Sequence, residues 1–436
     1  MEQQENQYDI ESKEKTKNKI FFTGMFWGFI FGGIFACISI GVIKVVYSSY
    51  QNSNVIEIPE TKEEGKNNKE QAVTESAITA QLIQKLRTLE SAIDVYYYQE
   101  GIDYEELQTG MLTGMIDALN DPYSEYYTKE ELEEVNRDNE GIYYGIGAYV
   151  SMDTELSMPK ISGVIANTPA EEAGLRENDV ITAVGDISMY QKTTQDAVSY
   201  IRGEEGTTVT LTIYRPSEQE YIDITVERRR VESPTVNHEM MGEIGYLQIT
   251  SFDKVTVKQF EEAYAELKNA GMKALIIDVR SNPGGLLTAV LDISRQILPK
   301  GLIVYTEDKY GNRDEYRSTD KDVLELPMSV MINGNSASAA EIFAAAMQDY
   351  EAATLVGTTS FGKGIVQSIL PLTDGTAVKI TISRYFTPKG VCIHGEGVSP
   401  DVEVDLNDEL KQLVIIPKDQ DNQLAEAVKA VLSQMK

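Results

Sequence analysis

The sequence predicts a multidomain α/β protein with a transmembrane helix near its N-terminus. A stretch without charged residues covers Ile20–Ile43. At about 1.5 Å per residue it is long enough to cross a bilayer core of about 30 Å. Between Gly245 and Pro400, short β-branched runs alternate with helical patterns, which is typical of an α/β layer with some parallel strands. The length of 436 residues suits two or three domains.

Lysines flank the apolar stretch unequally. Only Lys44 follows it closely, and four lysines precede it: Lys13, Lys15, Lys17 and Lys19. Since positive residues favour the inner side of a membrane, this asymmetry predicts a cytoplasmic N-terminus. We expect residues 1–19 to be a cytoplasmic tail, 20–46 a single transmembrane helix and the polar residues 47–75 a linker. The bulk of the chain is then expected outside the cytoplasm of the cell.

The composition excludes several classes of protein. The formal net charge of −30 repels phosphate backbones, which argues against a nucleic-acid partner. The two cysteines, Cys37 and Cys392, are far apart in sequence and exclude a disulfide framework or a cysteine-rich zinc site. Only two histidines occur, His238 and His394. We expect neither a metal nor a cofactor.

Helical patterns occur on both sides of the predicted α/β region. Residues 76–140 show apolar residues at helical spacing, interrupted at Asp121-Pro122, because proline disfavours helix in the residue before it. Residues 405–436 form a C-terminal segment, in which the pattern from Leu424 to Met435 predicts an amphipathic helix.

A glycine turn and a later apolar block resemble a bacterial PDZ domain over residues 141–230. Gly145-Ile146-Gly147 leads into a predicted strand, and the block is Asn167–Leu175. Asn178 stands where that family usually has glycine, and we expect it to adopt the left-handed conformation that asparagine tolerates. The resemblance implies that the backbone of Gly145, Ile146 and Gly147 binds a substrate's C-terminal carboxylate. A PDZ fold used only as a spacer is the alternative.

Two segments in residues 231–404 suggest acyl-transfer chemistry. Asn282-Pro283-Gly284-Gly285 follows an apolar strand and is either an ordinary tight turn or a donor of amides to an oxyanion. Ser336-Ala337-Ser338-Ala339 opens a predicted helix. Ser338 and Glu341 have the spacing of a capping box. The functional interpretation is a nucleophile at a helix N-terminus, where the Ala339 N–H favours negative charge.

A third segment, Gly357–Gly364, nearly matches a phosphate-binding Walker A loop. We reject that interpretation because Gly364 has no hydroxyl for magnesium and Ile365–Leu370 has the pattern of a strand. Read as a strand, Lys363 and Gln367 share one face, so that Gln367 can orient the Lys363 amine.

Together with Asp121-Pro122-Tyr123 and Gly397–Asp401, these segments resemble the C-terminal processing peptidases, or tail-specific serine proteases. The similarity runs from Gln81 to Val404. It implies a ClpP/crotonase-like α/β serine protease core over residues 231–404. It also implies these roles: nucleophile Ser338, general base Lys363, lysine-positioning Gln367, and oxyanion donors Ala339 and either Gly284 or Gly285. The choice between the two glycines stays open.

The expected function is therefore a membrane-anchored serine endopeptidase that cleaves proteins with an accessible C-terminus outside the cytoplasm. A lysine base is a known variant of the catalytic triad. Two alternatives are a crotonase-like acyl-CoA enzyme and a catalytically silent membrane PDZ scaffold; the PDZ block and the pairing of Ser338 with Lys363 argue against them. Arg202, near the end of the predicted PDZ helix, is a candidate for coupling the PDZ domain to the active site. Whether that domain inhibits or activates, and whether the protein is a homodimer, stays open.

Overall fold

A computed structural model describes most of the chain, namely residues 76–153, 156–319, 324–413 and 416–435. The predicted cytoplasmic tail, transmembrane helix and linker, residues 1–75, lie outside these ranges. Within the described ranges, no helix has both the length and the apolar character needed to cross a membrane.

Among the described residues, one compact unit is built from 76–129 together with Leu370–Ile380. Its described elements are α1 (Ala80–Tyr96), α2 (Tyr104–Asp117) and β1 (Glu125–Tyr127). Asp121 closes the helical part, because its carboxylate accepts hydrogen bonds from the Tyr123 N–H at 3.1 Å and from the Ser124 hydroxyl at 2.6 Å. The predicted interruption of the helical region at Asp121-Pro122 is confirmed.

The second compact unit begins near α3 (Lys129–Glu140) and includes a small β domain. The elements of that domain and of the strand pair at its base are β2 (Ile142–Gly145), β3 (Ala148–Asp153), β4 (Met158–Val164), α4 (Pro169–Glu172), β5 (Val180–Val184), β6 (Ile187–Ser188), α5 (Thr194–Ile201), β7 (Thr208–Arg215), β8 (Glu220–Glu227) and β9 (Arg229–Glu232). The sheet order is β3-β4-β5-β7-β8, and β2 pairs separately with β9. Apolar side chains of the sheet and of α5 fill the interior, with Ile161, Leu211 and Ile213 fully buried.

Asn178 has φ 71° in the turn before β5, so the expected left-handed conformation is confirmed. The turn is held by Asp179, whose carboxylate forms a buried ion pair with Arg215 at 2.7 Å. Two hydrogen bonds from one guanidinium to one carboxylate compensate the burial of both charges.

The second unit continues into an α/β core. Its elements are β10 (Val236–Met241), β11 (Ile244–Ile249), α6 (Lys254–Asn269), β12 (Ala274–Asp278), α7 (Leu287–Arg295), β13 (Gly301–Asp308), β14 (Arg313–Ser318), β15 (Met328–Ile332), α8 (Ala339–Asp349), β16 (Thr354–Gly357), β17 (Ile365–Pro371), β18 (Ala377–Phe386), β19 (Val402–Glu403) and α9 (Asn422–Gln434). The central sheet has the order β10-β11-β12-β15-β16-β19, and every neighbouring pair from β11 to β19 is parallel. The predicted α/β layer with parallel strands is confirmed.

Both faces of this sheet are covered, which explains why its strands read as continuous apolar runs. On β12, Leu275 and Ile277 pack in the cluster that contains α6, α7 and α8. Ala274 and Ile276 pack in the opposite cluster, with Leu424 and Val431 of α9. The C-terminal segment therefore supplies the second cover of the sheet.

A buried ionic cluster fastens α9 to the end of β12. Arg280 donates to Asp278 and to Asp421, in each case at 2.7 Å, and Tyr246 donates to Asp278 at 2.7 Å. Burial and the Asp278 charge raise the pKa of Tyr246 above its usual range. Removing one partner from such a cluster would leave an uncompensated buried charge. The cluster fixes the strand end from which the Asn282–Gly285 turn departs.

Candidate active site

Ser338 lies at the sharp turn between β15 and α8. Its backbone has φ 55° and ψ −112°, a left-handed conformation that costs a serine about 1–3 kcal/mol and persists only where the surroundings impose it. Hydrogen bonds hold the residues before Ser338 in place: the Ser336 hydroxyl donates to the Val279 carbonyl at 2.8 Å, and the Ala337 N–H donates to the Asn282 carbonyl at 2.9 Å. The strained turn thus presents Ser338 at a helix N-terminus, as expected.

Glu341 joins the serine turn to the lysine loop. One carboxylate oxygen accepts the N–H groups of Ser338 at 2.7 Å and Lys363 at 2.8 Å. The other accepts the Gly362 N–H at 2.7 Å and the Ser360 hydroxyl at 2.5 Å. The sequence-based capping box is confirmed, but it is only part of this arrangement. Burial raises the pKa of Glu341, and the four hydrogen bonds oppose that effect.

Lys363 and Gln367 are both buried, at 6% and 2% exposure. The predicted strand from Ile365 is confirmed, and Lys363 lies in the loop before it, outside the strand face that it was expected to share with Gln367. The loop is tightly enclosed, because a Cβ on Gly364 would lie 2.4 Å from the backbone nitrogen of His394. The Gln367 amide donates to the Thr381 hydroxyl at 3.2 Å. Orientation of the Lys363 amine by Gln367 stays a prediction.

In the Asn282–Gly285 turn, the N–H groups of the two glycines differ in their hydrogen bonding. The Gly284 N–H donates to the Asn282 side chain at 2.7 Å, and that side chain in turn donates to the Ile249 carbonyl at 2.9 Å. Among the described residues, no acceptor takes the N–H of Gly285 or of Ala339. Gly285 has φ 138°, and a Cβ there would lie 2.4 Å from the Phe252 carbonyl oxygen. Only glycine fits that position, and its amide remains available to an oxyanion.

Acidic residues lie behind this turn. The Phe252 N–H donates to the Gly284 carbonyl at 2.7 Å, and the next residue, Asp253, accepts the Ser251 hydroxyl at 2.6 Å. Burial raises the pKa of Asp253 to about 6, and the charge of Asp138 on α3 adds to this shift. A carboxylate with a raised pKa therefore lies next to Phe252, the residue whose N–H supports the turn.

Tyr385 is a site residue that the sequence analysis missed. Its hydroxyl lies 2.7 Å from the Ser338 hydroxyl, and both residues are only 1% exposed. It belongs to β18, in the run Arg384-Tyr385-Phe386. A buried tyrosine is common in cores, so the sequence held no sign of this contact.

The PDZ loop has the predicted glycine turn. Gly147 has φ 85°, and a Cβ there would lie 2.3 Å from Thr168 Cβ. The Thr168 hydroxyl donates to the Ile165 carbonyl at 2.6 Å, and the Ala170 N–H donates to the Ile146 carbonyl at 2.7 Å. Gly145 ends β2, and the Ile146 side chain is buried in the domain core. The carboxylate-binding role of this loop stays a prediction.

Arg202, the C-cap of α5, contacts the connection between the PDZ domain and the core. Its guanidinium carbon lies 5.3 Å from the ring centroid of Tyr143 on β2. Burial raises the pKa of Tyr143 to about 12. Burial also raises the pKa of Asp138, and the positive charge of Arg202 opposes this rise. Within the described residues, no group of histidine, cysteine and acidic side chains could hold a metal ion.

Three family models match the chain. They are peptidase family S41 over residues 243–404, a PDZ domain over residues 160–215 and the activating protease CtpB N-terminal domain over residues 39–131. The structure of a putative S41 protease from Bacteroides fragilis covers 80% of this chain and 97% of its own, with a TM-score of 0.51 at 16% identity. That likeness shows a shared fold.

Curated relatives give the family. A probable CtpA-like serine protease of Staphylococcus aureus (strain COL) is 34% identical over 339 residues, 77% of this chain and 67% of that protein. A probable CtpA-like serine protease of Staphylococcus epidermidis is 31% identical over 405 residues, 92% of this chain and 77% of that protein. At this identity and coverage, the chain belongs to peptidase family S41, as a CtpA-like serine peptidase with a PDZ domain.

Proposed function

We propose that Ser338 is the nucleophile and Lys363 the general base of this serine peptidase. The observation that carries the proposal is the Glu341 carboxylate, one oxygen of which holds the backbone N–H groups of both residues. This bond fixes the strained serine turn and the lysine loop against each other. A serine hydroxyl needs a base to take its proton. A charged ammonium cannot act as that base, and burial of Lys363 disfavours the charged form.

The proposed reaction uses groups already described. Ser338 Oγ attacks the substrate carbonyl carbon while its proton passes to Lys363 Nζ. The N–H groups of Gly285 and Ala339 receive the oxyanion, because neither donates elsewhere among the described residues. The carbon–nitrogen bond then breaks, and Lys363 returns the proton to the leaving amine. Water, deprotonated by Lys363, hydrolyses the acyl-enzyme and regenerates the Ser338 hydroxyl. Gln367 acts as a positioning residue for the lysine.

The experiment is incubation of the purified protein with an unstructured polypeptide, followed by mass spectrometry of the products. Internal cleavage that is lost in Ser338→Ala supports the proposal. Hydrolysis of acyl-CoA thioesters without peptide cleavage would favour the crotonase-like alternative. Binding of peptide C-termini without any cleavage by the wild type would favour a silent scaffold.

Recognition of a substrate's C-terminus by the PDZ domain is the regulatory part of the proposal. Arg202 faces Tyr143 and Asp138 at the base of the domain, and Asp138 interacts with Asp253 beside the Gly284–Gly285 turn. Charged groups that influence one another electrostatically therefore lie between the PDZ helix and the proposed oxyanion site. A ligand can shift such a system only through its different affinity for two states.

We expect a substrate with a free C-terminal carboxylate to be cleaved roughly 5- to 150-fold faster than its amidated form, the range of typical coupling energies. Arg202→Ala should bring this ratio close to one, because it removes the contact at the base of the domain. The matched control is Arg176→Ala, an exposed arginine of the same domain paired with Glu218, which should keep the ratio. Equal rates on both substrates in the wild type would remove the gating role. The sign of the change in basal rate in Arg202→Ala tells whether the domain inhibits or activates.

The proposed location is the outer side of the cell membrane, with a single anchoring helix at residues 20–46. The apolar stretch and the lysine asymmetry support it. Protease added to intact cells is expected to digest the PDZ and peptidase regions, as followed with an antibody to the C-terminus. Protection of these regions in intact cells, together with digestion after permeabilisation, would place them inside.

A further inference from the structure

We propose that Tyr385 is a further catalytic residue, whose phenol donates a hydrogen bond to Ser338 Oγ and stabilises the negative charge that develops there as the proton leaves. The proposal rests on the proposed function, in which Ser338 is the nucleophile. Its basis is the 2.7 Å contact between the two hydroxyl oxygens, in a site where both residues are 1% exposed. At that burial, water competes little for either hydroxyl.

The fold fixes the phenol at this place from two sides. Tyr385 lies on β18, opposite Thr306 of β13, in an antiparallel pair. Its own N–H donates to the Gly364 carbonyl at 3.0 Å, so its backbone is bonded to the residue that follows Lys363. The ring packs in the main core cluster. The phenol is therefore positioned by the same loop that carries the proposed base.

The chemistry of the two hydroxyls decides the direction of the hydrogen bond. A phenol, with a pKa near 10 in solution, is a stronger acid than the alkyl hydroxyl of serine and therefore the better donor. When Tyr385 donates, the proton of Ser338 stays free to move to Lys363. The opposite direction would direct the serine proton toward the phenol and away from the lysine, and would make Tyr385 a restraint on the nucleophile.

A donor at this distance acts more strongly on the charged oxygen than on the neutral one, because hydrogen bonds to ionised groups are stronger. An interaction that strengthens on the way to the transition state raises kcat and leaves substrate binding unchanged. Tyr385→Phe should therefore lower kcat by roughly 10- to 100-fold with KM unchanged. Removal of a merely structural hydrogen bond would lower the fraction of folded enzyme and leave the kcat of each active site unaltered.

The test compares the wild type with Tyr385→Phe in the full chain. Two quantities are measured: kcat and KM per titrated active site, and the rate at which an organic fluorophosphonate modifies Ser338. The expected result is a drop of the same factor in kcat and in the modification rate. The matched control is Tyr350→Phe, which removes a phenol bonded to the Leu302 carbonyl at 3.0 Å, at the opposite end of α8 from Ser338; it should keep both rates per active site.

A modification rate in Tyr385→Phe equal to or faster than that of the wild type would overturn the inference. This outcome differs from failure of the proposed function. If Ser338→Ala keeps full cleavage, the nucleophile assignment itself is wrong. If Ser338→Ala is inactive while Tyr385→Phe is fully active, only the role of Tyr385 is wrong.

Discussion

Ser338→Ala, Lys363→Ala and the double variant are expected to lose cleavage to nearly the same extent, roughly 10⁴- to 10⁶-fold in kcat. The physical reason is that a nucleophile and its base act as a unit, so removal of either one leaves the other without a role. The measurement is cleavage of an unstructured polypeptide under single-turnover conditions. Circular dichroism and thermal unfolding show that the variants remain folded.

Two further variants sharpen this test. Lys363→Arg keeps a positive charge, but arginine cannot lose its proton in a protein, so it should be as inactive as Lys363→Ala. Arginine that restores cleavage would identify Lys363 as a structural cation instead of a base. The control for the serine is Ser294→Ala, since Ser294 is fully buried and its hydroxyl has no hydrogen-bond partner within the described residues. Ser294→Ala should keep full activity.

Glu341→Gln is expected to lower kcat by roughly 10²-fold, because small displacements of reacting groups have effects of this size. The glutamine keeps one acceptor oxygen and places an NH₂ group where the carboxylate accepted two hydrogen bonds. Donors would then face donors at the serine turn or the lysine loop. Each backbone N–H left without an acceptor should also cost about 1–3 kcal/mol in the free energy of unfolding.

Both effects of Glu341→Gln can be measured on one preparation, by kinetics per active site and by urea unfolding. The control is Glu262→Gln on α6, an exposed glutamate paired with Lys258. Its kcat should stay unchanged, and its free energy of unfolding should change by no more than a few tenths of a kcal/mol. A Glu341→Gln enzyme with lower stability and unchanged kcat would show that the carboxylate only stabilises the fold.

Local patterns in the sequence predicted the frame of the site. Met328–Ile332 is apolar except for Ser329, and the strand has those bounds. Ser338 and Glu341 predicted the start of α8, since a capping box is read from two residues three positions apart. These features depend on neighbours in the sequence, which is why they could be found without a structure.

The contacts inside the site could not be predicted in the same way. Whether Gly284 or Gly285 offers its amide depends on the rotamer of Asn282, which takes the first of them. Tyr385 reaches Ser338 across 47 positions of sequence. Lys363 lies outside the strand that carries Gln367 because Gly362 and Lys363 give their N–H groups to Glu341 instead of to a strand partner. Each of these facts is a tertiary contact with no local pattern.

The fastening of α9 to the sheet has a consequence for the order of folding. Arg280 and Asp421 are 141 positions apart in sequence, and α9 covers apolar side chains of β12, β15 and β16. Contacts of such long sequence separation form late, since the entropy of closing the loop must be met first. During synthesis the segment that holds Ser338 emerges from the ribosome before α9 does. One face of the peptidase sheet therefore stays uncovered until the far end of the chain has arrived.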